Sequence, residues 1–476
     1  MVEIHFGTDG WRGQIAEDFT FENVRAVSQA TANYLHQAGT ASKGVVIAYD
    51  TRFLSQTFSN AVAEVLAGNG IRSAVASSAG PTPALSHSIV HRGVGAGIMI
   101  TASHNPGRYN GFKVKEGYGG SSPPAVTSAI EAAVPGILAS GDIKRMALGE
   151  AQAKGLVEEF DQRGPYLAAL RQLVDIEAIK AAGLRVLVDS MYGAGLGMTA
   201  ELLAGGKTVV EELHGHRNPA FPGMRAPEPI APNLTEQLGI LANGGYDVGL
   251  STDGDADRVG IADERGRFVT QLQTMALLVH YLVGVRGERG PMVRSVTMTR
   301  MIDRLGERYD CPVYETPVGF VHLGPKMMET NALIAGEESG GYAFRGHIPE
   351  RDGVLSGLII LEAMVKTGKR PSELLQALYD AVGTHEYDRV DITLRGDERD
   401  AIRERVANAN PDSIAGLRVE SQDNVDGFRF NLEGGWWLLL RFSGTEPLLR
   451  IYAEMPTMEQ VRQALQQGQE IAGATL

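Results

Sequence analysis

Strand-like apolar runs alternate with amphipathic helical patterns along most of this chain, and that alternation restricts the folds open to it. Gly44-Val-Val-Ile-Ala-Tyr-Asp50 reads as a buried strand. Ser55 stands where it would cap a helix with Phe58, Ala61, Val62, Val65 and Leu66 on one face, and Gly68 stands where that helix would stop. Residues 72–76 read as the next strand, and Gly97-Ile98-Met99-Ile100 follows after Pro81-Thr-Pro83. The order β-α-β favours a mostly parallel sheet with helices on both faces. The pattern restarts at residues 184–189 and again at 291–296, which predicts similar α/β units. After Asp388 the style changes to a strand, a helix over 398–409, short strands around Phe428 and over 436–442, a strand over 448–454 and a terminal helix. That segment predicts a smaller α+β domain.

A chain of 476 residues accommodates three or four domains of about 100–150 residues each. Hydrophobic residues make up 43%, enough for several cores. The net charge of −13 argues against a nucleic-acid surface or an anionic-membrane binder, so any phosphate pocket must be locally basic. Cys311 is the only cysteine, which rules out an intrachain disulfide and fits a reducing compartment. The N-terminal residues lack the basic and apolar regions of a signal peptide, and no run approaches the ~20 apolar residues of a membrane helix. A cytoplasmic protein with no membrane or nucleic-acid partner is the expectation. Residues 117–124 read as a flexible loop, 150–165 as a polar helical stretch leading to the second domain, and the Pro-rich 218–232 as an ordered irregular connection.

Two segments carry most of the chemistry. Thr101-Ala-Ser103-His104-Asn-Pro106 follows an apolar strand, and Asn-Pro forces a bend that can present the serine to a cleft. Asp253-Gly-Asp255-Ala-Asp257-Arg258 follows another strand, 246–250. Three ionised carboxylates so close repel one another unless a hard cation lies between them. A calcium loop is one rival, with Glu264 at its twelfth position, but Arg258 occupies the sixth, where that loop needs glycine. A solvated acidic turn is another. A catalytic divalent metal, Mg²⁺, fits better, because Arg258 beside it can clamp a substrate phosphate. An aspartyl phosphatase would use one of these aspartates as nucleophile, whereas Ser103 offers a different one, and a phosphoserine would bring about −1.5 to −2 charges toward the metal.

Other polar motifs are bounded by glycine. Phe6-Gly-Thr-Asp-Gly-Trp-Arg12-Gly13 puts Arg12 in a tight turn, and Asn110-Gly-Phe-Lys113-Val-Lys115 puts a lysine just beyond the serine turn. Gly336-Glu337-Glu338-Ser339-Gly-Gly341 offers short acidic and hydroxyl groups that suit sugar hydroxyls. Arg441-Phe-Ser443-Gly444-Thr445-Glu-Pro-Leu-Leu-Arg450 makes a phosphate cradle that lacks the Walker lysine, so it does not imply a nucleotide.

In this order, FGTDGWRG, TASHNP, NGFKVK, DGDADR, GEESGG and RFSGTEP resemble the signature of the α-D-phosphohexomutase superfamily over nearly the whole chain. The resemblance implies three related α/β domains with mixed, mostly parallel sheets and a smaller C-terminal α+β domain around a central cleft. We place them at 1–152, 153–256, 257–384 and 385–476. It also implies that Ser103 carries a phosphoryl group, with Mg²⁺ held by Asp253, Asp255, Asp257 and a phosphoserine oxygen. A hexose 1-phosphate and its 6-phosphate would interconvert through a bound hexose 1,6-bisphosphate. Arg12, His104, Lys113 and Arg258 would surround the transferring group with positive charge, and His104 or Lys113 would accept the sugar proton. Glu337 and Ser339 would hold ring hydroxyls; Arg441, Ser443, Gly444, Thr445 and Arg450 would grip the phosphate not reacting. The GEES form looks like the glucose branch, with mannose, dual glucose/mannose or glucosamine specificity as alternatives, and an inactive sugar-phosphate binder as the non-enzyme one. Val321 stands where many relatives have lysine and Gly341 where some have histidine; His322 is a candidate to compensate. A monomer or a homodimer is expected.

Overall fold

The structure is a computed structural model that describes residues 4–7, 9–395, 398–443 and 447–474. The first sheet runs in the order Phe6–Gly7, Gly10–Gln14, Tyr109–Glu116, Ala96–Ile100, Val45–Tyr49, Ser73–Ala76, Val157–Phe160. Its centre and one flank are parallel, and Tyr109–Glu116 joins antiparallel to Ala96–Ile100. The second sheet repeats the plan: Arg185–Asp189 pairs in parallel with Val209–Leu213 and Val248–Thr252, and Val259–Ala262 adds antiparallel. The third does so again, with Met292–Ser295 parallel to Val313–Thr316 and Ile334–Glu337, and Gly341–Phe344 antiparallel at the edge. The last sheet is antiparallel along Glu386–Thr393, Leu448–Met455, Trp436–Phe442 and Phe428–Leu432. Among the described residues the chain is thus mixed α/β with four sheets.

This plan has one consequence for function. In each of the three α/β sheets a strand ends, turns, and returns antiparallel beside itself, and that turn holds a polar motif. Residues 101–108 lie between Ala96–Ile100 and Tyr109–Glu116, residues 253–258 between Val248–Thr252 and Val259–Ala262, and residues 338–340 between Ile334–Glu337 and Gly341–Phe344. In the fourth sheet Trp436–Phe442 and Leu448–Met455, on either side of residues 443–447 in the sequence, pair antiparallel. A β-α-β reading looks for crossovers and passes over these hairpins.

Several local expectations change. Val157–Phe160 pairs with Ser73–Ala76, so the stretch read as a helix holds a strand, and the first sheet extends beyond residue 152. The second sheet runs on through Val259–Ala262 to Phe268–Val269, past the boundary placed at 256. The helix Ser55–Gly68 is entered through Leu54 at a left-handed φ of 60°, and the Ser55 hydroxyl bonds Asp50 instead of capping. Gly68 is the last helical residue, where a Cβ would meet the Lys144 carbonyl carbon at 2.6 Å. Gly119–Ser122, expected to be flexible, is buried, because Ser121 bonds Lys115 and Glu350. Among the described residues no helix is long and apolar enough to cross a membrane.

The α/β units meet at a cluster of rings. His87, on the helix Thr82–Arg92, lies 6.3 Å from Tyr166 and 6.2 Å from His347 between ring centroids. Tyr166 Oη donates to Asp352 at 2.8 Å and His347 Nε2 pairs with it at 2.9 Å, while Asp352 caps the helix Gly353–Thr367. Burial, with His347 and His91 nearby, pushes His87 down to about 4. The unfolded chain therefore takes up this proton near pH 6.5 while the folded chain does not, so stability falls as pH drops from about 6.5 toward 4 and this loss is complete below that. In His87→Gln, the urea midpoint should fall less between pH 6.5 and 4.5 than in the wild type.

Candidate active site

Ser103 opens the first turn in a left-handed conformation, φ 49°, and is buried. Its backbone is held from below. Arg52, fully buried, donates to the carbonyls of Ser103, Asn105 (2.6 Å), Pro106 (3.0 Å) and Tyr109 (3.1 Å) and pairs with Asp50 at 3.0 Å. Thr101 Oγ1 receives the Ser103 amide at 2.8 Å and donates to Asp50 at 2.6 Å. The turn is therefore built on one arginine and one aspartate, neither of which stood out in the sequence.

Above this base the second domain delivers its acids. Ser103 Oγ donates to Asp253 Oδ2 at 3.0 Å. Asp253, Asp255 and Asp257 are all completely buried, with one oxygen of each within 4.8 Å of the others. Gly254 allows the approach: a Cβ there would stand 2.3 Å from the Ser103 carbonyl oxygen. Asp255 Oδ1 and Asp257 Oδ1 carry no hydrogen bond. Burial, reinforced by Asp257 and Asp255, pushes Asp253 well above the ordinary carboxylate range, although Arg258 and Lys113 oppose the shift. Oxygen-only donors, bare lone pairs and mutual repulsion fit a hard divalent cation.

Cations ring this cluster. Lys113 Nζ lies 2.8 Å from Asp255, 2.7 Å from Asp9 and 3.5 Å from Asp257. Although burial favours its neutral form, Asp255, Asp9 and Asp257 push Lys113 up, and it remains an ammonium. His104 Nδ1 stands 3.4 Å from Ser103 Oγ. Burial, then Arg258, Arg12, Lys113 and Arg52, push His104 well below its ordinary value and keep the ring neutral. Arg12 bonds Asn105 Oδ1 at 2.7 Å, and Arg258 lies 3.4 Å from Glu228 and 3.9 Å from Asp257.

The sequence reading missed two central partners. Asp9 lies inside the quoted FGTDGWRG segment but went unremarked beside Arg12; it accepts Lys113, Lys115 and Arg351. Despite the opposing effect of burial, these three cations hold Asp9 well below the usual carboxylate range. Arg351 also reaches Asp257 at 2.9 Å, Glu337 at 3.1 Å and Glu350 at 3.2 Å. No local pattern around residues 350–352 announces it.

The cleft over this cluster has a volume of about 800 Å³. Arg12, His104, Arg258, Glu337, Ser339, Arg441, Ser443 and Arg450 all line it, so residues from all four sheets converge. Ser339 Oγ donates to Glu337 at 2.8 Å, Arg441 Nε pairs with Asp426 at 2.9 Å, and Arg399 donates to the Ser443 carbonyl at 2.8 Å. Gly444 and Thr445 lie outside the described residues. His322 is exposed and outside the lining, where Val318, Gly319 and Phe320 stand, so it does not compensate for Val321. Gly341 is different: a Cβ there would meet Arg351 Cδ at 2.2 Å, so Arg351 fills the space a larger residue would need.

Four family models match in order: Phosphoglucomutase/phosphomannomutase alpha/beta/alpha domain I over residues 3–139, domain II over 164–266, domain III over 271–382, and the C-terminal domain over 401–467. The chain is 33% identical to a phosphoglucomutase/phosphomannomutase of Thermococcus kodakarensis over 97% of both chains. The chain belongs to the phosphoglucomutase/phosphomannomutase family. It is accordingly a phosphohexomutase, an isomerase that moves a phosphoryl group within its substrate. A relative from Methanothermobacter thermautotrophicus, provisionally named a phosphoglucosamine mutase, is 32% identical over 96% of this chain and 95% of its own. A solved structure from Thermus thermophilus, provisionally named a phosphomannomutase, superposes with a TM-score of 0.86 at 34% identity, covering 99% of this chain and all of that one. In this phosphohexomutase, replacing Arg52 by Met strands Asp50 and four carbonyls and should cost about 3–5 kcal/mol of stability, measured by urea unfolding.

Proposed function

We propose that this phosphohexomutase interconverts glucose 1-phosphate and glucose 6-phosphate through a phosphoserine at Ser103. The observation that carries the reading is the 3.0 Å contact between the Ser103 hydroxyl and Asp253 within the buried trio of acids. A binding protein has no use for a nucleophile at a carboxylate trio.

The residues suggest a division of labour. Asp253, Asp255 and Asp257 would hold Mg²⁺, which supplies charge neutralisation at the phosphoryl oxygens. Ser103 in its phosphorylated form gives its phosphoryl group to a free sugar hydroxyl: the Ser103 Oγ–P bond breaks, a sugar O–P bond forms, and the hydroxyl proton must leave. His104, 3.4 Å from Ser103 Oγ, is placed to take that proton, whereas Lys113 is bound between Asp9 and Asp255 and serves as fixed positive charge. Arg12 and Arg258 add charge along the cleft wall. The product of this half-reaction is glucose 1,6-bisphosphate; after it reorients, Ser103 Oγ takes back the other phosphoryl group. Most of the rate enhancement then comes from position and charge.

Glu337 and Ser339 meet the ring hydroxyls, and Arg441, Ser443, Gly444, Thr445 and Arg450 meet the distal phosphate in either sugar orientation. Mannose is the second substrate we consider, because the Thermococcus relative carries both names. Glucosamine is the third, supported by the names of several archaeal relatives.

Intact-mass measurement should show one phosphate adduct that Ser103→Ala removes. Asp255→Asn should lower metal-dependent turnover by at least about 10²-fold without unfolding the protein; near-normal turnover would refute the metal assignment. Arg441→Ala should chiefly raise KM, and coupled assays with glucose, mannose and glucosamine 1-phosphates rank the sugars.

A further inference from the structure

Glu338 sits between two residues assigned to the sugar, yet its carboxylate turns to the C-terminal domain. Tyr387 Oη donates to it at 2.9 Å, and Arg389 reaches both of its oxygens, at 3.0 and 3.2 Å. Glu337, one residue earlier on the strand Ile334–Glu337, points the opposite way, toward Arg351 and Ser339. Both residues line the cleft, but the Glu337 carboxylate is held within the third domain while the Glu338 carboxylate is held by the neighbouring one.

The contact continues toward the phosphate arginines. Tyr387, Arg389 and Asp391 alternate along the strand Glu386–Thr393, which places them on one face. Arg389 Nε pairs with Asp391 at 2.9 Å, and the other Asp391 oxygen lies 3.7 Å from Arg450 Nε. Asp391 is also the register partner of Arg450, and Arg389 that of Tyr452, over whose ring it packs at 5.8 Å. Arg389, Arg450 and Tyr452 all line the cleft.

We propose that Glu338, Tyr387, Arg389 and Asp391 form a latch that couples the sugar-contacting turn of the third domain to Arg450 on the C-terminal domain. Glu338 is then a positioning residue and not a sugar ligand. The latch lets the ring-hydroxyl contacts and the distal-phosphate grip form together, so a sugar phosphate that satisfies only one of them binds weakly. Arg389 and Asp391 are about one-third exposed, which makes each contact weak and the latch readily opened. This inference rests on the mutase reading.

The test combines kinetics with amide hydrogen exchange on the full-length protein. Glu338→Gln and Arg389→Gln should each raise KM for glucose 1-phosphate by about 3–10-fold with kcat within about twofold. The double variant should be no worse than either single one, because both break the same contact. Arg389→Gln should also speed exchange in residues 336–341, on the other domain, even without substrate. The reversed pair Glu338→Arg with Arg389→Glu should recover part of the KM. Additive effects in the double variant, a KM change confined to Glu338→Gln, or unchanged exchange at 336–341 would each overturn the latch. Failure of the mutase reading looks different: the wild-type protein would then convert none of the three hexose phosphates and carry no phosphate adduct.

Discussion

Everything at the serine end of the cleft depends on charge balance around acids that water does not reach. Asp253, Asp255 and Asp257 are completely buried, and a carboxylate taken out of water costs several kcal/mol unless it is matched. Lys113 and Arg351 supply much of the match, and both do so across domain boundaries. Lys113, from the first sheet, reaches Asp255 and Asp257 in the second. Arg351, from the third, reaches Asp9 in the first and Asp257 in the second. The α/β units are thus locked together by the same ions that prepare the site, and a fault in any one leaves buried charge elsewhere. That is also why Asp9, with no assigned contact to substrate, matters: it is the acid on which Lys113, Lys115 and Arg351 converge.

The repeated hairpin explains how four domains come to share one cleft. A parallel strand followed by an antiparallel return leaves its turn at the sheet's carboxyl end, where open α/β sheets hold ligands. Three copies of that device set Ser103, the acid trio and Ser339 at equivalent places in three sheets, and Trp436–Phe442 and Leu448–Met455 of the C-terminal domain pair antiparallel in the same way. Backbone strain marks the turns: Ser103 and Ala256 both adopt left-handed angles, at 49° and 53°. Such angles persist only where the surroundings impose them, as the four carbonyl bonds of Arg52 do at Ser103.

What was legible in the sequence follows from what is local. Ser103, the acid trio, Lys113 and the arginines lie in short glycine-bounded segments, and their residue types alone imply phosphate and metal chemistry. The strand and helix runs showed in hydrophobic period, because each buries one face. Three kinds of feature stayed hidden. Arg52 and Arg351 act through partners dozens to hundreds of residues away, and one sequence holds no trace of such pairings. The antiparallel returns were not singled out, since a returning strand and a new parallel one have the same apolar pattern. The direction of Glu338 depends on a domain whose placement no local segment encodes.

The two ends of the cleft use the same chemistry under different dielectric conditions, and this difference separates their roles. At the serine end the acid trio, Lys113 and Arg351 are buried, their interactions are strong, and rearranging them would expose unmatched charge. In the proposed reaction that end would stay fixed while the phosphoryl group moves. At the distal end, Glu338, Arg389, Asp391 and Arg450 are one-fifth to about one-third exposed, so their ion pairs are screened and each contributes little. Weak pairs can be exchanged for a phosphate and remade after it leaves. The bisphosphate intermediate proposed above would need a grip of this kind, firm enough to orient either phosphate and loose enough to release it. In the proposed reaction burial, more than residue type, would assign the serine end to chemistry and the arginine end to handling.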